Sequence, residues 1–140
     1  MKKFTALILA AIFLFAAATP VSAAVPEIAV PFYANTSQAG VVFTINAEGS
    51  ASWTITCLGK SSCTGIDAVT YLERQVGNTW VRVDLGNTNN EYTYSTTASR
   101  MTKTYVLTLD THGTYRATVI FTVYGTVEDE TLSYSTERTF

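Results

Sequence analysis

Two cysteines lie six positions apart in the stretch ITCLGKSSCTG, residues 55–65. Thiols at this spacing can form a disulfide, stay free or bind a metal. A thioredoxin-like pair has two residues between its cysteines, so the spacing of Cys57 and Cys63 does not suit that chemistry. A zinc site would need a second cluster of Cys or His, and the sequence has none. In an oxidising compartment the spacing therefore favours a disulfide across a loop, with free thiols or a metal site as the alternatives.

Other titratable groups give weaker indications of chemistry. His112 is the single histidine, and Asp110 could orient it as a general base, but no Ser or Cys nucleophile motif accompanies it. The run Glu128-Asp129-Glu130 offers carboxylates to calcium, which takes six to eight oxygen ligands that this spacing does not supply. We interpret both stretches as exposed turns. The sequence also shows no pair of acids placed for glycoside hydrolysis, so it predicts no catalytic site, no metal and no cofactor.

The first 23 residues have the features of a secretory signal peptide. Lys2 and Lys3 precede the apolar run Ala6–Ala18, and small residues follow it up to Ala23. We expect cleavage after Ala23 and a secreted, extracellular protein with no stable membrane span, because the apolar run is shorter than the roughly 20 residues that a span needs. A retained N-terminal anchor is the alternative.

The charge and composition narrow the class of protein further. The chain has nine basic and eleven acidic residues and a net charge of −2, and removing a leader that contains Lys2 and Lys3 makes it more acidic. This balance argues against nucleic acid as a partner, since phosphate binding depends on clustered Lys and Arg. Abundant Thr, Tyr and Val favour β-strands.

The rest of the chain alternates between apolar and polar residues, as half-buried strands do. Pro26 and Pro31 predict an irregular lead-in over residues 24–39, and the alternation begins in residues 40–140. We expect seven or eight short strands there and no helix, with at most a short strand at Tyr92 to Ser95 in a turn-rich stretch.

The clearest hairpin surrounds Gly77-Asn78, the composition of a two-residue turn. With that turn, Gln75 faces Trp80 and Glu73 faces Arg82, an opposed charge pair. One side of the ribbon is then apolar except for Arg74, and it carries Leu72, Val76, Val81, Val83 and Leu85. A slip of one residue would mix the two faces, so this register is favoured.

The stretch Leu109-Asp110-Thr111-His112-Gly113-Thr114-Tyr115-Arg116-Ala117 resembles the approach to strand F in immunoglobulin and fibronectin type III domains. On that resemblance Tyr115 is the residue of a tyrosine corner, whose hydroxyl bonds to the backbone just upstream. Cys57 falls where strand B of an immunoglobulin domain places its first cysteine, but Ala117 occupies the partner position. The resemblance implies an immunoglobulin-like, fibronectin type III-like antiparallel β-sandwich without the inter-sheet disulfide.

The whole layout is also similar to a group of small exported bacterial proteins of unknown function. The similarity rests on the signal peptide, the Pro-Phe-Tyr lead-in, the Gly-Asn turn followed by Trp80, and TYRATVIFTVYG before a last Tyr-bearing strand. It implies a fold and a route out of the cell, and no activity.

In a fibronectin-like sheet strand F lies beside strand C, so the strand that contains Tyr124 would continue the face that carries Tyr71, Gln75 and Trp80. Aromatic and hydroxyl groups on one exposed face suit sugar stacking or peptide contact. The alternative is that Trp80 covers its neighbours or that the lead-in lies over this face.

These features favour a noncatalytic secreted protein that binds a glycan or an envelope protein. The alternative is a bacteriocin-like or toxin-like effector. A secreted enzyme would need a catalytic constellation. A small outer-membrane barrel would need eight spanning strands of about 9 to 11 residues plus loops, which strains the length of this chain, and Arg138 interrupts the last strand.

Overall fold

The structure, a computed structural model, describes residues 33–140. The predicted leader, residues 1–23, and the first part of the lead-in, residues 24–32, lie outside the described residues. Every regular element between residues 33 and 140 is a β-strand. In this part of the chain there is no helix long and apolar enough to cross a membrane.

The described chain forms eight strands, which confirms the all-β prediction and its number of strands. They are β1 (Thr36–Ile45), β2 (Ser50–Gly59), β3 (Cys63–Val76), β4 (Thr79–Arg82), β5 (Tyr92–Thr96), β6 (Arg100–Thr108), β7 (Thr114–Gly125) and β8 (Glu130–Thr139). All of their pairings are antiparallel.

The strands form two sheets in a sandwich-like arrangement. One sheet has the order β1-β2-β6, and the other has the order β4-β3-β7-β8, with β5 paired to β3 on the same edge as β4. Alternate side chains of each sheet point inward, as the period of two requires. The largest fully buried side chains between the sheets are Trp53, Phe43, Phe121, Ile55, Ile66, Leu72, Met101, Val119 and Val123.

The register predicted for the β3–β4 hairpin is confirmed. Gln75 faces Trp80, Val76 faces Thr79, and the Val83 amide donates to the Leu72 carbonyl at 2.9 Å. Gly77 has a φ of 61°, the left-handed conformation that a two-residue turn needs. The alternation and the turn composition thus determine the pairing together.

The apolar side of this hairpin is only partly buried, contrary to the sequence expectation. Leu72 and Leu85 are in the core, whereas Val76 is 46 % and Val81 is 50 % exposed. The opposite sheet is shorter: β2 begins at Ser50 and β6 ends at Thr108. The tip of the hairpin therefore extends past its covering layer.

The first strand begins at Thr36, four residues before the predicted domain start at position 40. The main-chain amide of Asn35 donates to Glu130 Oε1 at 3.0 Å, and the Thr36 hydroxyl donates to Glu130 Oε2 at 2.9 Å. These charge-assisted bonds fix the start of β1 to the start of β8. Glu130, predicted to lie in a hydrated turn, is therefore a structural residue.

Tyr115 lies at the start of β7, and only 3 % of it is exposed. Its hydroxyl donates to the carbonyl of Thr111, four residues upstream, at 2.5 Å. This is the hydrogen bond that defines a tyrosine corner. It holds the turn between β6 and β7 against the core.

The disulfide predicted between Cys57 and Cys63 is wrong, because both residues are free thiols. The prediction placed both in one loop, but Cys57 lies inside β2 and Cys63 begins β3 on the other sheet. Alternation along β2 points Cys57 into the core, where it is fully buried. The Cys63 thiol is directed instead at the carbonyl of Gly65, 3.5 Å away.

The two thiols are expected to differ in reactivity. Burial raises the pKa of Cys57 to about 11, so only about one thousandth of it is thiolate at pH 8, whereas Cys63 is half-buried. A maleimide should therefore modify one thiol per native molecule, at Cys63, and two in denaturant, as counted by mass spectrometry. No labelling in denaturant without reductant would contradict the structure and indicate an oxidised pair.

Candidate functional site

The outer face of the five-stranded sheet carries all four residues predicted to bind. β7 pairs with β3, so that Tyr71 faces Thr118 and Gly65 faces Tyr124. Gln75 and Trp80 are a cross-strand pair close to Tyr71. Gly65 is six residues from Tyr71 on β3, which is about 20 Å along a strand. The structure therefore brings Tyr71, Gln75 and Trp80 together and places Tyr124 at the other end of the face.

The aromatic rings at the Trp80 end are covered by the protein's own cations. The Arg116 guanidinium lies 4.2 Å from the Trp80 ring centroid and the Arg82 guanidinium lies 3.2 Å from that of Tyr71. Such cation–π contacts contribute about 0.5–1 kcal/mol at exposed sites. One face of each ring is thus already occupied, which makes this end a stabilising cluster of side chains.

The charge pair predicted between Glu73 and Arg82 is replaced by two other pairs. Glu73 Oε2 accepts from Arg116 Nη2 at 2.7 Å and from Arg116 Nε at 3.0 Å. Arg82 lies 3.6 Å from the carboxylate of Glu91. Glu73 lies between Arg82 on β4 and Arg116 on β7. It pairs with Arg116, which donates two hydrogen bonds to its carboxylate.

The Tyr124 end carries a hydrogen-bonded pair of polar groups. The Tyr124 hydroxyl donates to Asp67 Oδ2 at 2.6 Å. This bond lowers the pKa of Asp67 below its usual value, and a hydrogen bond from the Ser95 hydroxyl, opposite on β5, lowers it further. The bond with Asp67 raises the pKa of Tyr124. Asp67 is therefore a carboxylate and Tyr124 a neutral phenol at neutral pH.

A shallow cleft of about 540 Å³ opens beside this pair, within the range of 300–1,000 Å³ that is typical of ligand pockets. It lies between the start of β3, the end of β7 and the turn that follows β5. A side chain at position 65 would crowd the cleft, because a Cβ on Gly65 would stand 3.1 Å from the Thr96 carbonyl. Its lining residues are Thr64, Gly65, Asp67, Ser95, Thr96, Thr97 and Tyr124.

The cleft offers an aromatic ring, a carboxylate and several hydroxyls, which can recognise a ligand by contact and hydrogen bonding. His112 lies on a different turn, where its ring stacks on Phe140 at 4.0 Å between centroids. No group of three or more His, Cys, Asp or Glu residues within positions 33–140 could hold a metal ion. The arrangement that the structure presents is suited to binding.

Sequence reasoning singled out Tyr124 but missed Asp67 and the threonines around it. Asp67 is a lone acid within a strand and belongs to no motif. The signal was available in the alternation, because pairing β3 with β7 puts Asp67 opposite Thr122 and on the same face as Tyr124. The contribution of Thr96 could not be foreseen, since it depends on β5 pairing with β3 beside β4.

Comparison with protein-family models, curated proteins and solved structures found no match to this chain. The site is therefore interpreted from its own residues.

Proposed function

We propose that this protein is a small exported binding protein that acts without catalysis at the cell envelope or outside the cell. The observation that supports this most directly is the cleft beside the hydrogen-bonded pair of Tyr124 and Asp67. It supplies recognition groups on a sheet face formed by the paired strands β3, β5 and β7. The charged lysines of the N-terminus and the apolar run after them support export.

We also propose that the sandwich is of the immunoglobulin-like, fibronectin type III-like kind. In that fold strands A, B and E share one sheet and strands C, F and G share the other. The orders β1-β2-β6 and β3-β7-β8 agree with this arrangement, and Tyr115 supports it. The fifth strand of the larger sheet, β5, departs from it, and this departure builds one wall of the cleft.

The proposed binding can be tested by cosedimentation of the purified protein with isolated bacterial envelopes. We expect the wild-type protein to sediment with the envelopes and a variant with both Asp67→Ala and Tyr124→Ala to stay in the supernatant. The matched control is Thr102→Ala, an exposed substitution on β6 in the other sheet. It should sediment as the wild type does.

Circular dichroism and thermal unfolding should show that both variants are folded. Wild-type protein that stays in the supernatant would contradict the proposed function. Equal sedimentation of the double variant would move binding away from the cleft.

A further inference from the structure

The unused hydrogen-bonding positions of the residues that line the cleft indicate which class of ligand it would bind. An ionised carboxylate has about four lone-pair positions. Asp67 uses one for the Tyr124 hydroxyl at 2.6 Å and a second for the hydroxyl of Ser95, which lies opposite on β5. The remaining positions can only accept hydrogen bonds. A ligand that fills the cleft must therefore bring donors to Asp67.

The threonines add groups that both donate and accept. Thr64, Thr96 and Thr97 line the cleft around Asp67, and a hydroxyl provides one donor and two acceptor positions. The Thr96 hydroxyl already accepts from the Ala98 amide at 3.1 Å, which fixes its position. Groups of this kind match a ligand with many hydroxyls of its own, since each ligand hydroxyl can serve either role.

Tyr124 supplies the apolar contact. Its ring lies over the cross-strand position of Gly65, where an added Cβ would be 3.6 Å from Cδ2 of the ring. Tyr124 is half-buried, so part of the ring is open to a ligand while its hydroxyl is held by Asp67. An aromatic ring that is polar at one end and apolar over its face suits a ligand with C–H groups on one side and hydroxyls around its edge.

The charges around the cleft disfavour an anionic ligand. Asp67 is a carboxylate, Asp129 lies close enough to contribute to the raised pKa of Tyr124, and no Lys or Arg is among the lining residues. The negative charges of Asp67 and Asp129 would repel phosphates and acidic sugars in the cleft. A quaternary ammonium is recognised by a cage of several aromatic rings, whereas Tyr124 is the one aromatic residue that lines this cleft.

We propose that the cleft beside Asp67 and Tyr124 binds neutral saccharides, with the sugar ring against Tyr124 and its hydroxyls bonded to Asp67 and the threonines. The inference rests on the proposed binding function and specifies its ligand.

The test is isothermal titration calorimetry of the purified protein with neutral hexasaccharides of glucose, mannose and N-acetylglucosamine, and with hexagalacturonate as the acidic counterpart. We expect at least one neutral hexasaccharide to bind and hexagalacturonate not to bind. Asp67→Asn should weaken binding about tenfold or more, because it replaces a charged acceptor. Tyr124→Ala should weaken it by at least as much, and Thr102→Ala should leave it unchanged.

Tyr124→Phe separates the ring from its hydroxyl, and it should bind more tightly than Tyr124→Ala. Three results would overturn the inference: no binding of any neutral hexasaccharide, preferential binding of hexagalacturonate, or neutral binding that Asp67→Asn and Tyr124→Ala do not change. If such a result accompanies envelope sedimentation that still depends on Asp67 and Tyr124, the saccharide assignment fails and the binding function stands. If the wild type does not sediment either, both fail.

Discussion

Trp53→Ala is expected to lower the free energy of unfolding by about 3–5 kcal/mol, the cost of removing a large aromatic side chain from a core. Trp53 is fully buried. Its ring stacks with those of Tyr105 and Tyr92, at 5.6 and 6.1 Å between centroids. Domains of this size have a total stability of about 5–15 kcal/mol, so the variant should be close to unfolding.

The loss has a polar component as well. Trp53 Nε1 donates to the Thr70 hydroxyl at 3.1 Å, and that hydroxyl donates to the Thr118 carbonyl at 2.7 Å. Thr70 is fully buried, so its hydroxyl would lose the hydrogen bond that it accepts from the indole of Trp53. Trp53→Phe keeps an aromatic ring but removes the donor, and it should cost less than Trp53→Ala.

Trp80→Ala is the matched control, because it removes the same side chain from the half-buried outer face. We expect a loss of about 1 kcal/mol, from the contact with Arg116 and partial burial. Urea unfolding followed by circular dichroism measures all three variants. If Trp80→Ala destabilised the protein as much as Trp53→Ala, the assignment of core and outer face would be wrong.

Gly49→Ala is expected to cost about 3 kcal/mol. Gly49 has a φ of 81°, which costs an L-residue about 1–2 kcal/mol. A Cβ there would also stand 2.8 Å from the Leu109 carbonyl oxygen and 2.8 Å from Cζ of Phe140. The backbone cannot move away freely, because the Gly49 carbonyl accepts from the Leu109 amide at 2.8 Å, so overpacking adds to the strain.

Gly77→Ala tests the backbone strain of a positive φ without the steric overlap that an added Cβ causes at Gly49. Gly77 has a φ of 61°, but nothing lies within 4 Å of the position of its Cβ. We expect a loss of about 1 kcal/mol, measured as a smaller fall in thermal midpoint than Gly49→Ala produces. Equal midpoints would show that the turn between β1 and β2 is not packed against Leu109 and Phe140.

The fold could be predicted in outline because neighbouring residues in the sequence determine the faces of each strand and the position of the hairpin turn. The period of two assigns each side chain to a face, and the Gly77-Asn78 turn fixes the register, so the pairing of Gln75 with Trp80 followed from a few residues. The stretch that forms β5 was predicted to be rich in turns, with at most a short strand at Tyr92 to Ser95. Its pairing with β3 was not predicted, because pairing between distant strands depends on the packing of the whole chain.

The errors concern the contacts that alternation does not determine. Cys57 and Cys63 are close in sequence, but the strand boundary between them sends one thiol into the core. Glu73 had an arginine on each side, and hydrogen-bond geometry selected Arg116. Val76 belongs to the apolar side of its ribbon, yet its exposure depends on where the opposite sheet ends.

The candidate site was predicted as one face and proved to have two ends of different character. Trp80 was predicted to bind because aromatic and hydroxyl groups share its exposed face, but Arg116 covers its ring. The pair of Tyr124 and Asp67 forms the cleft, and it could be located only once β5 had been placed. Composition identified the face, and the strand order identified the cleft.

The most direct test of saccharide binding in the cleft is an NMR titration of ¹⁵N-labelled protein with soluble carbohydrate released from bacterial envelopes. We predict that the amide signals of Gly65, Asp67, Thr96 and Tyr124 shift while the indole signal of Trp80 stays in place. A titration in which the Trp80 indole shifts and the four cleft amides do not would contradict the account.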